Sequence, residues 1–196
     1  MNRRLKQQID FILEADKLKN VIRRNYISDD SRRENTAEHS WHTILTALLL
    51  FEYTENKHEL NLQRIVRMIS IHDLVEIEAG DTFMFDEEAN KKKFDRENQA
   101  AKKIFSLLPY DQGKEYYDIW LEFEKEETPD AIFASSVDKI MPVLLNTYSK
   151  GTSWREAQIT AEQVHTTLKG IKKGPRKIQE LLEELIFMAR KNGNLT

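Results

Sequence analysis

Apolar residues recur along this chain at intervals of three and four, the spacing that lines one face of a helix against a core. The stretch 3–19 carries Leu5, Ile9, Ile12 and Leu13 in this way. After the polar run SDDSRRE, a second helix is predicted to start near Asn35, with Glu38 three residues on as its capping-box partner. It runs through HSWHTILTALLLFEY and is apolar on most sides, which predicts a central position. A third begins at Leu62, with Ile65, Val66 and Ile69 in register, and leads to a loop from Gly80 to Asp86. The charged stretch EEANKKKFDRENQAAKKIFSLL, ending before Pro109, reads as one helix and 111–125 as another. Thr128 followed by Pro129 pairs an N-cap with a residue suited to the first helical position, opening a helix over about 130–148. Two amphipathic helices, 154–169 and 176–191, close the chain. With only 6 Gly and 4 Pro, and no alternating Val/Ile/Thr run between turns, a β-sheet is not expected. No linker or internal repeat divides the pattern, so it predicts one all-α domain over residues 1–196.

Composition narrows the class. With 40% hydrophobic and 32% charged residues, the chain is expected to be soluble and globular rather than disordered. The longest apolar run, ILTALLLF at 44–51, is too short to span a bilayer, and the charged N-terminus lacks the apolar stretch of a signal peptide. The absence of cysteine rules out disulfides, thiolate metal sites and cysteine nucleophiles, and suits a reducing cytoplasm. A net charge of -3 offers no global attraction for nucleic acid or an anionic membrane. The basic run KGIKKGPRK at 169–177 is read as a solvated linker between helices.

The third helix raises a chemical question. Its apolar face, extended, is occupied next by His72, Asp73 and Glu76. Unpaired charge is costly to bury, so something must compensate these groups. A divalent cation would neutralise Asp73 and use the lone pair of His72, provided that other helices supplied more ligands. His39, near the start of the most apolar helix, and Asp138, on a helix whose Phe133, Val137, Ile140, Met141, Leu144 and Leu145 face a core, are the candidates. Each has an ordinary alternative: His39 as a core histidine bonded to a carbonyl, Asp138 as a solvated residue or an ion-pair partner of Lys139. His58 and His165 lie in polar surroundings and read as surface residues; His42 fits no motif. Pro142, four residues after Asp138, is expected to kink that helix beside the candidate ligand.

The order His39, His72-Asp73, Asp138 resembles the metal site of the HD-domain phosphohydrolases, an all-helical superfamily. RENTAEHS and HDLVEIEAGD are similar to the branch that contains bacterial 5′-deoxynucleotidases, and EFEKEETPDAIFASSVDKIMPVLLN to other members of that branch. The likeness runs from about Leu18 to the last helix. It implies an HD-type helical bundle with its metal-site core at about 35–148 and the terminal helices packed on it. It implies that His39, His72, Asp73 and Asp138 hold one divalent ion, and such ligands suit Mn²⁺, Co²⁺, Fe²⁺ or Mg²⁺ and admit Zn²⁺. Glu76 and Asp81 match the pair that orients the attacking water and serves the leaving oxygen. An Arg-Trp pair that contacts the nucleoside in those enzymes aligns with Arg24 and Asn25, so the Arg is kept and the stacking ring is not. Arg33 is a candidate for phosphate, or for tying its loop to Glu34 or Glu38.

The activity implied is hydrolysis of a small phosphomonoester, a nucleoside 5′-monophosphate in the first place, by water activated on the ion. Two alternatives stand beside it. One is hydrolysis of nucleoside triphosphates or alarmone-type nucleotides, although the HDxxED run of alarmone hydrolases is missing because Ile77 follows Glu76. The other is a non-catalytic, metal-stabilised interaction domain, which intact Glu76 and Asp81 argue against. Related proteins often form homodimers; the stripe Ile178, Leu181, Leu182, Leu185 and Ile186 either pairs two copies or lies in the core.

Overall fold

A computed structural model describes residues 1–195 of the chain. Helix α1 (Arg3–Ala15) starts at Asn2, whose side chain accepts from the Leu5 amide, and continues into a 3₁₀ turn, Asp16–Asn20. There follows an element that the helical periodicity does not anticipate, an antiparallel pair of strands, β1 (Ile22–Tyr26) and β2 (Arg33–Asn35). The strands are only five and three residues long and carry arginines where β-branched residues are usual, so they leave little trace in composition. The turn between them, with Asp30 at φ +63°, is where SDDS falls. Alternation along β1 is what matters later: Arg23 and Asn25 point inward, Arg24 outward.

Helix α2 (Thr36–Leu50) leaves β2 directly, and both halves of the expected capping box between Asn35 and Glu38 are formed. It is not a central helix. Trp41 and Leu49 are 65% and 62% exposed, and Leu45 and Leu48 also face outward. The buried side is built from Thr36, His39, Ser40, Thr43 and Ala47, small or polar residues that let α2 approach its neighbours closely. Helix α3 (Leu62–Ile71) buries Ile65 and Ile69 as its stripe predicts, and Met68 between them, then stops. His72–Val75 is a 3₁₀ turn, followed by the single turn of α4 (Glu76–Ala79). Gly80, at φ +76°, ends α4 in a conformation that glycine adopts without strain and redirects the chain into the loop that carries Asp81.

The charged segment that reads as one helix is two, α5 (Glu87–Asn90) and α6 (Lys93–Phe105). Asp86 caps α5, and the Asn90 amide donates to the carbonyls of Phe83 (3.1 Å) and Asp86 (2.7 Å), tying the loop back on itself. Helix α7 (Tyr110–Lys125) leads to α8 (Pro129–Tyr148), where Thr128 caps and Pro129 takes the first turn as expected. It is α8, not α2, that occupies the middle: Phe133, Val137, Ile140 and Met141 are almost wholly buried, and α3, α7 and α11 pack around it. The helix runs through Pro142 without interruption. The predicted helix 154–169 is broken into α9 (Thr152–Glu156) and α10 (Ala161–Thr167), because Gln158 turns at φ +54° and Thr160 with Gln163 forms a fresh capping box. After a 3₁₀ turn, Lys169–Lys173, helix α11 (Arg176–Lys191) lays Ile178, Leu182, Leu185 and Ile186 into the core against α8. That stripe is therefore core and unavailable for pairing two copies. Among the described residues, no helix is long and apolar enough to cross a membrane.

Candidate active site

Three elements bring the four candidate ligands together. His39 comes from the first turn of α2, His72 and Asp73 from the 3₁₀ turn after α3, and Asp138 from the middle of α8. One ligand atom from each lies within 4.8 Å of all the others. Asp138 Oδ1 is the hub, 2.8 Å from His39 Nε2 and 3.3 Å from His72 Nε2, while Asp73 Oδ1 is 3.1 Å from His72 Nε2. His72 Nδ1 lies 2.8 Å from the Ile69 carbonyl and donates to it, which fixes the ring with Nε2 facing the cluster. The ring also packs on Phe123, centroids 4.5 Å apart. His39 Nδ1 faces Glu34 Oε2 at 3.3 Å without completing a hydrogen bond. Lys139 is turned away to Glu126 at 2.5 Å, so Asp138 is not its ion-pair partner.

The donor set fits a divalent cation. Bonds of roughly 2.0–2.2 Å put opposite ligand atoms about 4 Å apart, so the observed spacing needs little adjustment. The same atoms now share protons. Burial and the Arg23 charge lower the affinity of His39 for its proton, but contact with Asp138 and Glu34 outweighs them and holds it up at about 9. Burial acts against His72 too, and the charges of Asp73 and Asp138 raise it to about 10. Burial alone would push Asp138 up; the two imidazoles hold it well below the usual carboxylate range. A cation must displace both imidazole protons before it can use their lone pairs. Metal uptake should therefore release protons and strengthen as pH rises through neutrality, which calorimetric titration in buffers of different ionisation enthalpy will read.

Beside this cluster stands a residue that sequence patterning passes over. Arg23 Nη1 lies 3.5 Å from Asp73, 3.7 Å from Glu76 and 3.5 Å from Asp81, and its Nε is 3.9 Å from Glu34. All five side chains are nearly buried, so one guanidinium compensates four carboxylates. Glu76 also accepts from the Thr36 hydroxyl at 2.9 Å. Burial and the Asp73 charge push the Glu76 carboxyl up to about 8, against the pull of Arg23. Asp81 is raised as well, by burial first. These groups open onto a cavity of about 240 Å³ whose wall includes His72, Asp73, Glu76, Asp81 and Asp138.

Of the two arginines expected to meet substrate, Arg24 lines the cavity and Arg33 does not. Arg24 points outward from β1 and sits over the Phe83 ring at the cavity mouth, 5.9 Å from its centroid, while its neighbour Arg23 takes the inward position. Arg33 does not line the cavity: its guanidinium donates to Glu156 and to the Arg24 carbonyl, both at 2.8 Å, which locks the hairpin instead of leaving a group for phosphate. Nor does it hold Glu34 or Glu38; Arg32 pairs with Glu38. The cavity is also lined by Lys93, Glu97 and Glu124, which no motif singled out. His58 and His165 are exposed, and His42 stacks on Trp41 away from the cluster.

Known proteins bear on this arrangement. The 5′-deoxynucleotidase HDDC2 of Bos taurus is 30% identical over 137 residues, which are 69% of this chain and 64% of that protein. Its Homo sapiens counterpart is 29% identical, over 69% of this chain and 65% of its own. The chain thus spans a little under two thirds of the length of these relatives. A crystal structure of a predicted metal-dependent phosphohydrolase from Magnetospirillum magnetotacticum superposes with a TM-score of 0.91 at 40% identity, covering 100% of both chains. An HD-domain phosphohydrolase of Listeria innocua, at 18% identity and a TM-score of 0.62 over 91% of this chain and 97% of its own, shares the fold. The family model for the HD domain matches residues 15–179, a span that takes in α2, the turn after α3 and the middle of α8, and on that match the chain belongs to the HD domain family.

Proposed function

We propose that the protein is a metal-dependent phosphomonoesterase acting on nucleoside 5′-monophosphates, in the manner of a 5′-deoxynucleotidase. The observation that carries this reading is the convergence of Glu76 and Asp81 on Arg23, within a few ångströms of the four-residue cluster and open to the same cavity. An ion held by His39, His72, Asp73 and Asp138 would lower the pKa of a water and offset charge on the phosphoryl oxygens. The remaining demand is for protons, because a 5′-alkoxide leaves poorly without one. Glu76 and Asp81 are placed to supply it: burial favours the protonated form of both carboxyls, and the Thr36 hydroxyl and Arg23 keep the pair in place. The names of the HDDC2 relatives and of the phosphohydrolase at 40% identity support the substrate class.

The nitrogen and oxygen donors favour Mn²⁺, Co²⁺, Fe²⁺ or Mg²⁺, with Zn²⁺ admitted. We read residues 1–196 as one HD domain, a reading supported by the packing of α11 on α8 and of α1 on α6. We read the enzyme as a cytoplasmic homodimer; the lack of cysteine supports the compartment and the exposed Trp41, Leu45, Leu48 and Leu49 of α2 support the pairing.

A phosphate-release screen with Mn²⁺ over nucleoside mono-, di- and triphosphates tests the reading. Release from 5′-monophosphates is expected; release from triphosphates alone favours a triphosphohydrolase, and no release at all leaves an interaction domain. In the same assay Glu76→Gln and Asp81→Asn should keep the metal and lose turnover by about 10² or more, the usual scale of acid–base groups. Metal analysis beside kcat decides this, and unchanged kcat in both variants would remove the pair from the chemistry.

A further inference from the structure

The cavity that meets a phosphate dianion is mostly acidic. Asp73, Glu76, Asp81, Glu97, Glu124 and Asp138 all contribute to its wall. Charge of that sign repels the substrate unless cations answer it. Four basic side chains line the cavity, and three are engaged. Arg23 is surrounded by carboxylates, Arg24 lies on Phe83 at the mouth, and Lys139 donates to Glu126.

Lys93, the first residue of α6, is different. Its ammonium is 3.6 Å from Glu97 Oε1, beyond hydrogen-bond length, and its side chain, which lines the cavity, is 39% exposed. Glu97, one turn on, is buried, and Glu124 approaches from α7. The charges of Glu97 and Glu124, then of Asp73 and Asp138, keep Lys93 protonated against the effect of burial. The ammonium therefore stands within electrostatic reach of the metal cluster, poised by two carboxylates without being bonded to either. A lysine is suited to this task, being a compact charge with three donors on a stem that can shift by an ångström.

We propose that Lys93 binds the phosphoryl group of the substrate, with Glu97 and Glu124 positioning its ammonium at the cavity. The proposal rests on the phosphomonoesterase reading and adds to it the residue that selects for a phosphate dianion.

Inorganic phosphate is the probe, titrated calorimetrically into the Mn²⁺-loaded protein. Lys93→Met and Lys93→Gln should weaken the Kd for phosphate about tenfold or more, as expected for loss of one charge-assisted contact. Lys93→Arg should restore most of it. The KM for a nucleoside 5′-monophosphate should rise in parallel, while metal content and the affinity for the unphosphorylated nucleoside stay as in the wild type. Unchanged phosphate affinity in both neutral variants, with only a lower Tm, makes Lys93 an ion-pair partner within α6 and overturns the proposal. So does a wild type that binds no phosphate. Failure of the parent reading shows differently, as a wild type that releases phosphate from no nucleoside monophosphate whatever occupies position 93.

Discussion

Asp73→Ala should yield a folded protein that binds no stoichiometric divalent metal and has no measurable phosphatase activity. Asp73 is 8% exposed and sits between His72 Nε2 at 3.1 Å and Arg23 at 3.5 Å. Alanine removes one of the four candidate ligand atoms and the charge that balances both neighbours. Three remaining ligands, two of them imidazoles already carrying protons, compete poorly for an ion at neutral pH. Stability supplies an independent readout. An ion that binds only the folded state adds about 2.7 kcal/mol when present at 100 times its Kd. Wild-type Tm should therefore rise on adding Mn²⁺, and the Tm of the variant should not. A variant that kept bound metal and near-normal turnover would remove Asp73 from the site.

Arg23→Met should be the most destabilising single change near the cavity, costing about 3–5 kcal/mol by removing the guanidinium from a nearly buried group of carboxylates. The cost should depend on pH, and its sign follows from the carboxyls. Glu76 is already raised by burial, so its charged form weakens the fold as pH climbs through about 8. Without Arg23, Glu76 and Asp81 move further up, so their charged forms become costlier and the penalty of ionising them grows as pH rises. The gap between wild type and variant should be small near pH 5 and widen toward pH 8 in the absence of metal. Urea denaturation at the two pH values measures it. Equal stability of both proteins at both values would mean that Arg23 does not neutralise these groups.

Much of this arrangement could be read from residue order, and the exceptions have physical causes. Asn35 with Glu38, and Thr128 with Pro129, announce two helix starts because capping is local chemistry, carried by a few adjacent side chains. The misplaced polar triplet His72, Asp73 and Glu76 betrays the cavity because burial penalises charge wherever it occurs. Arg23 was hidden for the opposite reason: in a strand, side is decided by odd or even position, and β1 is too short to show its own alternation. Alignment by motif favoured Arg24, one residue away, whose side chain also lines the cavity. For α2 the sequence offered apolar residues on both sides, and periodicity alone could not tell that the small and polar face goes inward. The break before α10 was legible in Thr160 and Gln163, a capping box inside an amphipathic run that periodicity treats as continuous. The pair Lys93 and Glu97, four residues apart, looks like an ordinary surface ion pair until the fold sets it with Glu124 of α7 in the lining of the cavity.

The measurement that bears most directly on the whole account is a titration of chelator-stripped protein with Mn²⁺, following bound metal and phosphate released from a nucleoside 5′-monophosphate in one series. The account predicts no release before metal is added, then activity that climbs with the first equivalent bound and levels off there. Phosphate release that persists without metal, or one tightly bound equivalent that brings no release from any nucleoside monophosphate, would contradict it.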